Sequence, residues 1–241
     1  MNGPKTARES GKNSSSTRKL ARRILTLVVA IGVVASLLFG IARRLDWIAA
    51  WIVIGFAVVF LGGILTWGTR HAPELLDERT RIAANVKRWD IIITTIYRVL
   101  LVCLLVTASI DAGRLRWSKM PVPLSVVGAA IIFAGAGVIW WCMKSNPFLS
   151  SSARIQDDRC QTVVHTGPYQ YVRHPMYITL IALMPSLALL LGSWWALLPA
   201  ALMDILFVVR TYLEDGMLAG ELQGYRQYSA RVRYRLVPGI W

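Results

Sequence analysis

Two stretches without a single charged residue, 24–42 and 47–69, constrain this chain more than any other feature. A helix needs about 20 residues to cross ~30 Å of hydrocarbon, and both stretches meet that length. Only 17% of the 241 residues are charged and 55% are hydrophobic, against ~25% and ~45–50% in soluble domains. The charges that remain are clumped between apolar runs. This pattern excludes an ordinary soluble enzyme, a disordered chain and a secreted disulfide scaffold. Cys103 and Cys142 lie in apolar runs and Cys160 in a polar loop. That odd, scattered set gives neither a disulfide framework nor a zinc spacing, and no metal is implied.

Six apolar spans emerge: 24–42, 47–69, 91–110, 122–143, 176–192 and 194–209. Gly192 and Ser193 leave a tight turn between the last two, so 176–209 reads as a helical hairpin. Pro185 and Pro199 fall inside it, which membrane helices tolerate where neighbours re-satisfy the backbone. The first span is too long for a signal-peptide core and lacks a clear cleavage site, so it is expected to be retained. The expected fold is all-α: a polytopic integral membrane protein of about six transmembrane helices, with a cytosolic C-terminal helix. Residues 1–19 hold almost no apolar surface and read as a disordered basic tail. Residues 20–121 read as N-terminal spans and 122–241 as a C-terminal core.

The net charge is +14. Twenty-one Lys and Arg residues fall before the first span, after the last, or in the loops on that same side; five fall on the other side and Arg98 lies inside a span. The positive-inside rule then places both termini in the cytoplasm, with the polar stretches 144–175 and 214–241. The lipid bilayer is the first partner. Nucleic-acid binding needs a soluble basic face, which this distribution lacks, so none is expected. Arg98 either pairs with Asp204 or lines a cavity. Gly135 and Gly137 suit a close helix neighbour. Trp140, Trp141, Trp194 and Trp195 read as interfacial anchors, and 231–235 as a lipid-headgroup contact.

The loop before the fifth span reads HTGPYQYVRHPMY at 165–177. His165, Tyr169, Tyr171, His174 and Tyr177 offer flat faces with hydrogen-bonding tips, which suits a planar, polar small molecule. Gly167 and Pro168 fix a turn, and Pro175 holds His174 extended before a helix starts. The competing reading is an interfacial aromatic belt, which does not need Arg173, His174 and the turn residues together. Near the end of the sixth span, Arg210 and Glu214 stand one helical turn apart and share a face. A surface ion pair is the simpler account, but charges at a membrane boundary usually face partners or ligands.

Residues 146–241 resemble the isoprenylcysteine carboxyl methyltransferase family and the related membrane phospholipid methyltransferases. The resemblance rests on GPYQYVRHPMY at 167–177, on Glu214 and Asp215 with Leu218, and on the run from Gly224 through Tyr225, Tyr228 and Arg231 to Pro238. It implies an integral membrane enzyme that binds S-adenosylmethionine at its cytosolic face, with a lipophilic acceptor arriving from the bilayer. By position it implies a cofactor cradle from 146–155, including Phe148, and from His165, Gly167, Pro168, Tyr169, Tyr171, Val172, Arg173, His174, Pro175 and Tyr177. Glu214 would engage the cofactor's amino-acid end. Asp215 stands where the family usually has a second Glu and keeps the charge at shorter reach. Arg210 matches an arginine placed to hold a substrate carboxylate, so Arg210 and Glu214 are the catalytic candidates.

Such a carboxylate is already a nucleophile at neutral pH, so alignment matters more than a strong base. An amine acceptor would need proton removal, with Glu214 or His174 as candidates. The expected activity is carboxyl O-methylation of an isoprenylcysteine-type acceptor. The rivals are methylation of a phospholipid amine or small thiol and, outside catalysis, a scaffold or transporter. A transporter would place its charges around a midplane site rather than at one face.

Overall fold

The protein is described here by a computed structural model covering residues 5–80 and 85–241, all helix, turn and loop. Helix α1 (Lys5–Ala35) runs into a π-helical turn (Ser36–Gly40) and is followed by α2 (Ile48–His71) and the short α3 (Pro73–Thr80). Then come α4 (Arg88–Ala108) with a second π-helical turn (Ser109–Leu115), α5 (Val122–Ser145), α6 (Pro175–Leu191), α7 (Leu197–Glu221) and α8 (Tyr225–Arg231). Helix α1 takes in residues 5–19, which composition assigns to a disordered tail. A helix already nucleated by its apolar span extends without a second nucleation cost.

Four helical stretches are long and apolar enough to cross a membrane: Thr17–Gly40, Ile48–His71, Arg88–Leu115 and Val122–Ser145. The hairpin departs from the expected fifth and sixth spans. Helix α6 has 17 residues, short of the ~20 needed for a full crossing. Helix α7 starts at Leu197 rather than 194 and runs to Glu221, carrying Asp204, Arg210, Glu214 and Asp215 within it. The polar stretch is thus a continuation of the last apolar helix, which gives its side chains fixed helical positions. Many apolar side chains point outward, Val59 among them with 77% of its surface exposed. Hydrocarbon, unlike water, makes such exposure favourable.

Where the bundle closes, its contacts are small and tight. Leu104, Ala108, Ala188, Leu191, Ala200 and Met203 bury together with Leu38 and Ala50. Helices α5 and α6 approach closely through glycine: a Cβ at Gly128 would stand 2.6 Å from the Ser186 carbonyl oxygen. One at Gly135 would stand 3.1 Å from Thr179 and Leu183, whereas Gly137 faces open space. Gly135 therefore packs as its spacing suggests, and Gly128 makes the closer approach.

The two ends of the bundle differ. At one end Lys19 and Arg23 pair with Asp77, Lys87 with Glu221, Arg154 with Glu78, and Arg173 with Asp215. These pairs bring the 146–175 loop and the last turns of α7 beside the start of α4 and beside α3. At the opposite end buried Asp111 accepts hydrogen bonds from Ser118 N at 2.9 Å, Ser118 Oγ at 2.6 Å and Ser193 Oγ at 2.5 Å. That carboxylate ties the α6–α7 turn to α4.

Candidate active site

The HTGPYQYVRHPMY loop is held by its surroundings rather than by regular structure of its own. Gly167 has φ +59°, and a Cβ there would run into the Ser145 side chain, so the turn requires glycine. Helix α6 starts at Pro175, as the His174–Pro175 step predicts. The C-terminal arm lies alongside: Arg173 N donates to Tyr234 O at 3.0 Å and His174 N to Arg235 O at 2.9 Å. Tyr228 of α8 donates to the Tyr169 carbonyl at 2.7 Å.

At the centre of this arrangement is Asp215. Arg173 grips it with Nε at 2.7 Å and Nη2 at 3.0 Å. Tyr225 Oη donates at 2.7 Å, Arg235 Nε at 2.8 Å, and His174 Nε2 lies 3.3 Å away. Burial opposes the charged carboxylate, but hydrogen bonds from His174, Arg173, Tyr225 and Arg235 outweigh it and hold Asp215 well below the ordinary carboxylate range. Burial, followed by the Asp215 charge, pushes the Tyr225 hydroxyl well above its usual value, so it stays a donor. Arg235 is held by this carboxylate and lies over the Trp241 ring, so it is not free to meet a lipid headgroup as its place in the basic run suggests.

One residue earlier, Glu214 faces a cavity of about 320 Å³. That volume lies at the small end of the range for small-molecule sites, roughly 300–1,000 Å³. Tyr177 Oη donates a short hydrogen bond to Glu214. Arg210 Nη2 lies 2.9 Å from Asp90 Oδ1 and its Nε 3.8 Å from Glu214. The Arg210–Asp90 contact is close but not aligned as a hydrogen bond, which leaves Asp90 Oδ1 without an aligned partner; Arg210 Nη2 donates instead to the Ser151 carbonyl at 3.2 Å, and Arg210 Nε has no aligned partner of its own. The Arg210 guanidinium also stands over the Tyr177 ring, 5.3 Å from its centroid.

Of the residues singled out in the sequence, the cavity wall brings together Phe148, Tyr169, Arg173, His174, Pro175, Tyr177, Arg210 and Glu214. His165, Gly167, Pro168, Tyr171, Val172 and Asp215 lie off it. Tyr171 is 60% exposed and Val172 is buried behind the loop. Arg98 lines the cavity with Thr94 and Tyr97 of α4; it forms no ion pair with Asp204, whose Oδ1 is buried without a hydrogen-bond partner.

Three residues outside the motifs also belong to this end. Asp90 holds Arg210, Glu78 holds Arg154 through paired bonds of 2.9 Å, and Arg79 lines the cavity. A signal was present for Asp90, an acid set between basic Arg88 and an apolar span. No spacing pointed to Glu78 or Arg79.

The residues suit a nucleoside carrying an amino acid. Phe148, Tyr169 and Tyr177 supply ring faces. Burial pushes the Tyr169 hydroxyl up, so it remains protonated. Glu214 supplies a carboxylate, and the orphaned Arg79 Nη1 supplies a buried cationic donor on the same wall.

Together the fold and this site define a helical membrane protein with a ligand-sized cavity at its more charged end. The family described as Phospholipid methyltransferase matches residues 124–222, from the start of α5 to the end of α7. No curated protein matches the chain. The match covers the 165–177 loop, Arg210 and Glu214, and leaves out α3, α4 and α8, which supply the rest of the cavity wall. It supports a methyltransferase of membranes as the general kind of protein.

Proposed function

We propose that this protein is an integral membrane methyltransferase that uses S-adenosylmethionine and methylates a lipophilic acceptor, with an isoprenylcysteine-type carboxylate as the first choice. The observation that carries this reading is convergence. The loop from the matched family segment, Arg210, Glu214 and the membrane-spanning part of α4 meet on one cavity. Positive charge concentrated at that end supports a cytoplasmic site, with both termini on the same side.

S-adenosylmethionine supplies an electrophilic methyl group on a sulfonium. Tyr169, Phe148 and His174 would cradle its nucleoside, and Glu214 would face its amino-acid end. Arg210 would hold the acceptor carboxylate with its fixed fork of N–H donors, as a lysine point charge could not. Its contact with Asp90 and its place over Tyr177 fix the direction of that fork. A carboxylate oxygen left outside the fork is the nucleophile, and no proton has to leave it. Thr94, Tyr97 and Leu180 extend the wall into the apolar spans, where a lipid chain would lie.

A phospholipid amine is the second reading, favoured by the family that the 124–222 segment matches. In that case Glu214, held by Tyr177, would take the proton from the attacking amine. Labelled-methyl transfer into a prenylcysteine, an aminophospholipid and a small thiol separates these readings. Label in the prenylcysteine supports the first and label in the phospholipid the second. Absence of transfer to all three, together with no binding of S-adenosylmethionine, overturns the assignment.

A further inference from the structure

Among the described residues, two arginines keep a buried nitrogen without a hydrogen-bond partner, Arg79 Nη1 and Arg210 Nε, and of the two only Arg210 has an acid within ion-pair distance. Burial lowers the pKa of Arg79, and the groups acting on it next are Tyr169 and Tyr177. An arginine does not escape by losing its proton, so the cost of an unmatched buried cation stands until an anion meets it. Of the other guanidiniums on the cavity wall, three are paired with acids, and Arg98 lies within the α4 span. Arg154 has Glu78 and Asp158, Arg173 has Asp215, and Arg210 has Asp90 and Glu214.

We infer that Arg79 binds the α-carboxylate of the methyl donor, while Glu214 on the same cavity faces its ammonium group. The inference rests on the proposed use of S-adenosylmethionine and deepens it. The wall holds Arg79, whose buried Nη1 meets no acid, and Glu214, which among the described residues is met by a tyrosine hydroxyl and a guanidinium nitrogen 3.8 Å away. That pair of opposite charges complements an amino-acid zwitterion. The position of Arg79 selects the donor over the acceptor. It sits on α3 (Pro73–Thr80), after the second span and beside the polar 150–154 segment; Ser151 Oγ donates to its carbonyl at 3.4 Å. The acceptor side of the cavity, by contrast, is the wall built by α4 within its span. Arg79 lies outside the 124–222 family match, so this chain's own N-terminal half completes the donor site.

The test is calorimetric titration of the full-length protein in nanodiscs with S-adenosylmethionine and with decarboxylated S-adenosylmethionine. A charge-assisted hydrogen bond corresponds to about 10–100-fold in affinity. The wild type should prefer the carboxylate-bearing donor by about that factor, and Arg79→Met should erase the preference. The decarboxylated compound should bind Arg79→Met within about twofold of wild type, which also shows that the variant is folded, and Arg79→Lys should recover part of the preference. Loss of affinity for both compounds alike, or for neither, overturns the role of Arg79 while leaving the donor intact. A wild type that binds neither compound overturns the donor reading and this inference together.

Discussion

The two ends of the bundle each bury a carboxylate on a transmembrane helix or its continuation, and they treat it oppositely. Asp111 accepts from two hydroxyls and one backbone N–H group at 2.5–2.9 Å, so both of its oxygens are met. Asp90 has one oxygen on Ala153 N at 2.9 Å and the other against a guanidinium out of alignment, and Arg79, Asp90 and Arg210 each retain a buried atom without an aligned partner. Buried polar groups in native proteins are almost always satisfied, and exceptions mark strain or function. The first end is a closed joint. The second has donors and an acceptor waiting for something else, and it is where the matched family segment contributes its loop.

The sharpest way to break this contrast is to make the site end lose its own joint. Asp215→Asn leaves Arg173 and Arg235 without their charge partner, and breaking a buried pair costs about 3–5 kcal/mol. Thermal unfolding in detergent should show a large drop, with the 165–177 loop becoming sensitive to protease. An unchanged melting temperature would mean that Asp215 is no anchor.

Next in size is Arg210→Ala. Losing a buried, hydrogen-bonded charge at a substrate is expected to cost about 2–5 kcal/mol in kcat/KM for a carboxylate acceptor. Affinity for S-adenosylmethionine should stay within a few-fold of wild type. If affinity falls in step with turnover, Arg210 belongs to the donor pocket and the carboxylate reading loses its support.

Ser193→Ala removes a hydroxyl from the closed end and should cost about 1–3 kcal/mol in stability. Donor affinity in this variant should equal that of wild type. A change in affinity would mean that the two ends are coupled.

The smallest effect is one of pH. A carboxylate with a depressed folded pKa adds stability that is present above its unfolded value, about 4, and fades as pH falls through the folded one. Asp215 is such a group. The melting-temperature gap between wild type and Asp215→Asn should therefore hold from pH 7 to about 5 and narrow toward pH 3. A gap that widens on acidification would contradict the depressed pKa.

Much of this was legible in the chain. Charge-free runs carried the spans, and the Pro175 step carried the start of α6. The one-turn spacing of Arg210 and Glu214 carried their shared face. What stayed hidden depended on distance along the chain. Arg173 meets Asp215 across 42 residues and Glu78 meets Arg154 across 76, with no period or motif to link them. The extent of the hairpin is hidden from the sequence for a related reason. Hydropathy marks where apolar residues stop, at 209, but α7 continues to Glu221 because its polar turns are supported by tertiary contacts rather than by lipid.

Glu214 and Asp215 are neighbours of like charge on one helical turn, about 100° apart around its axis. One faces the cavity and the other the packed arm behind it. A survey scoring every substitution by total methyl transfer would show both positions as intolerant and would report them as equivalent. Scored separately for abundance in the membrane and for turnover per molecule, they should part: Asp215 variants vanish from the membrane, while Glu214 variants accumulate there and do nothing.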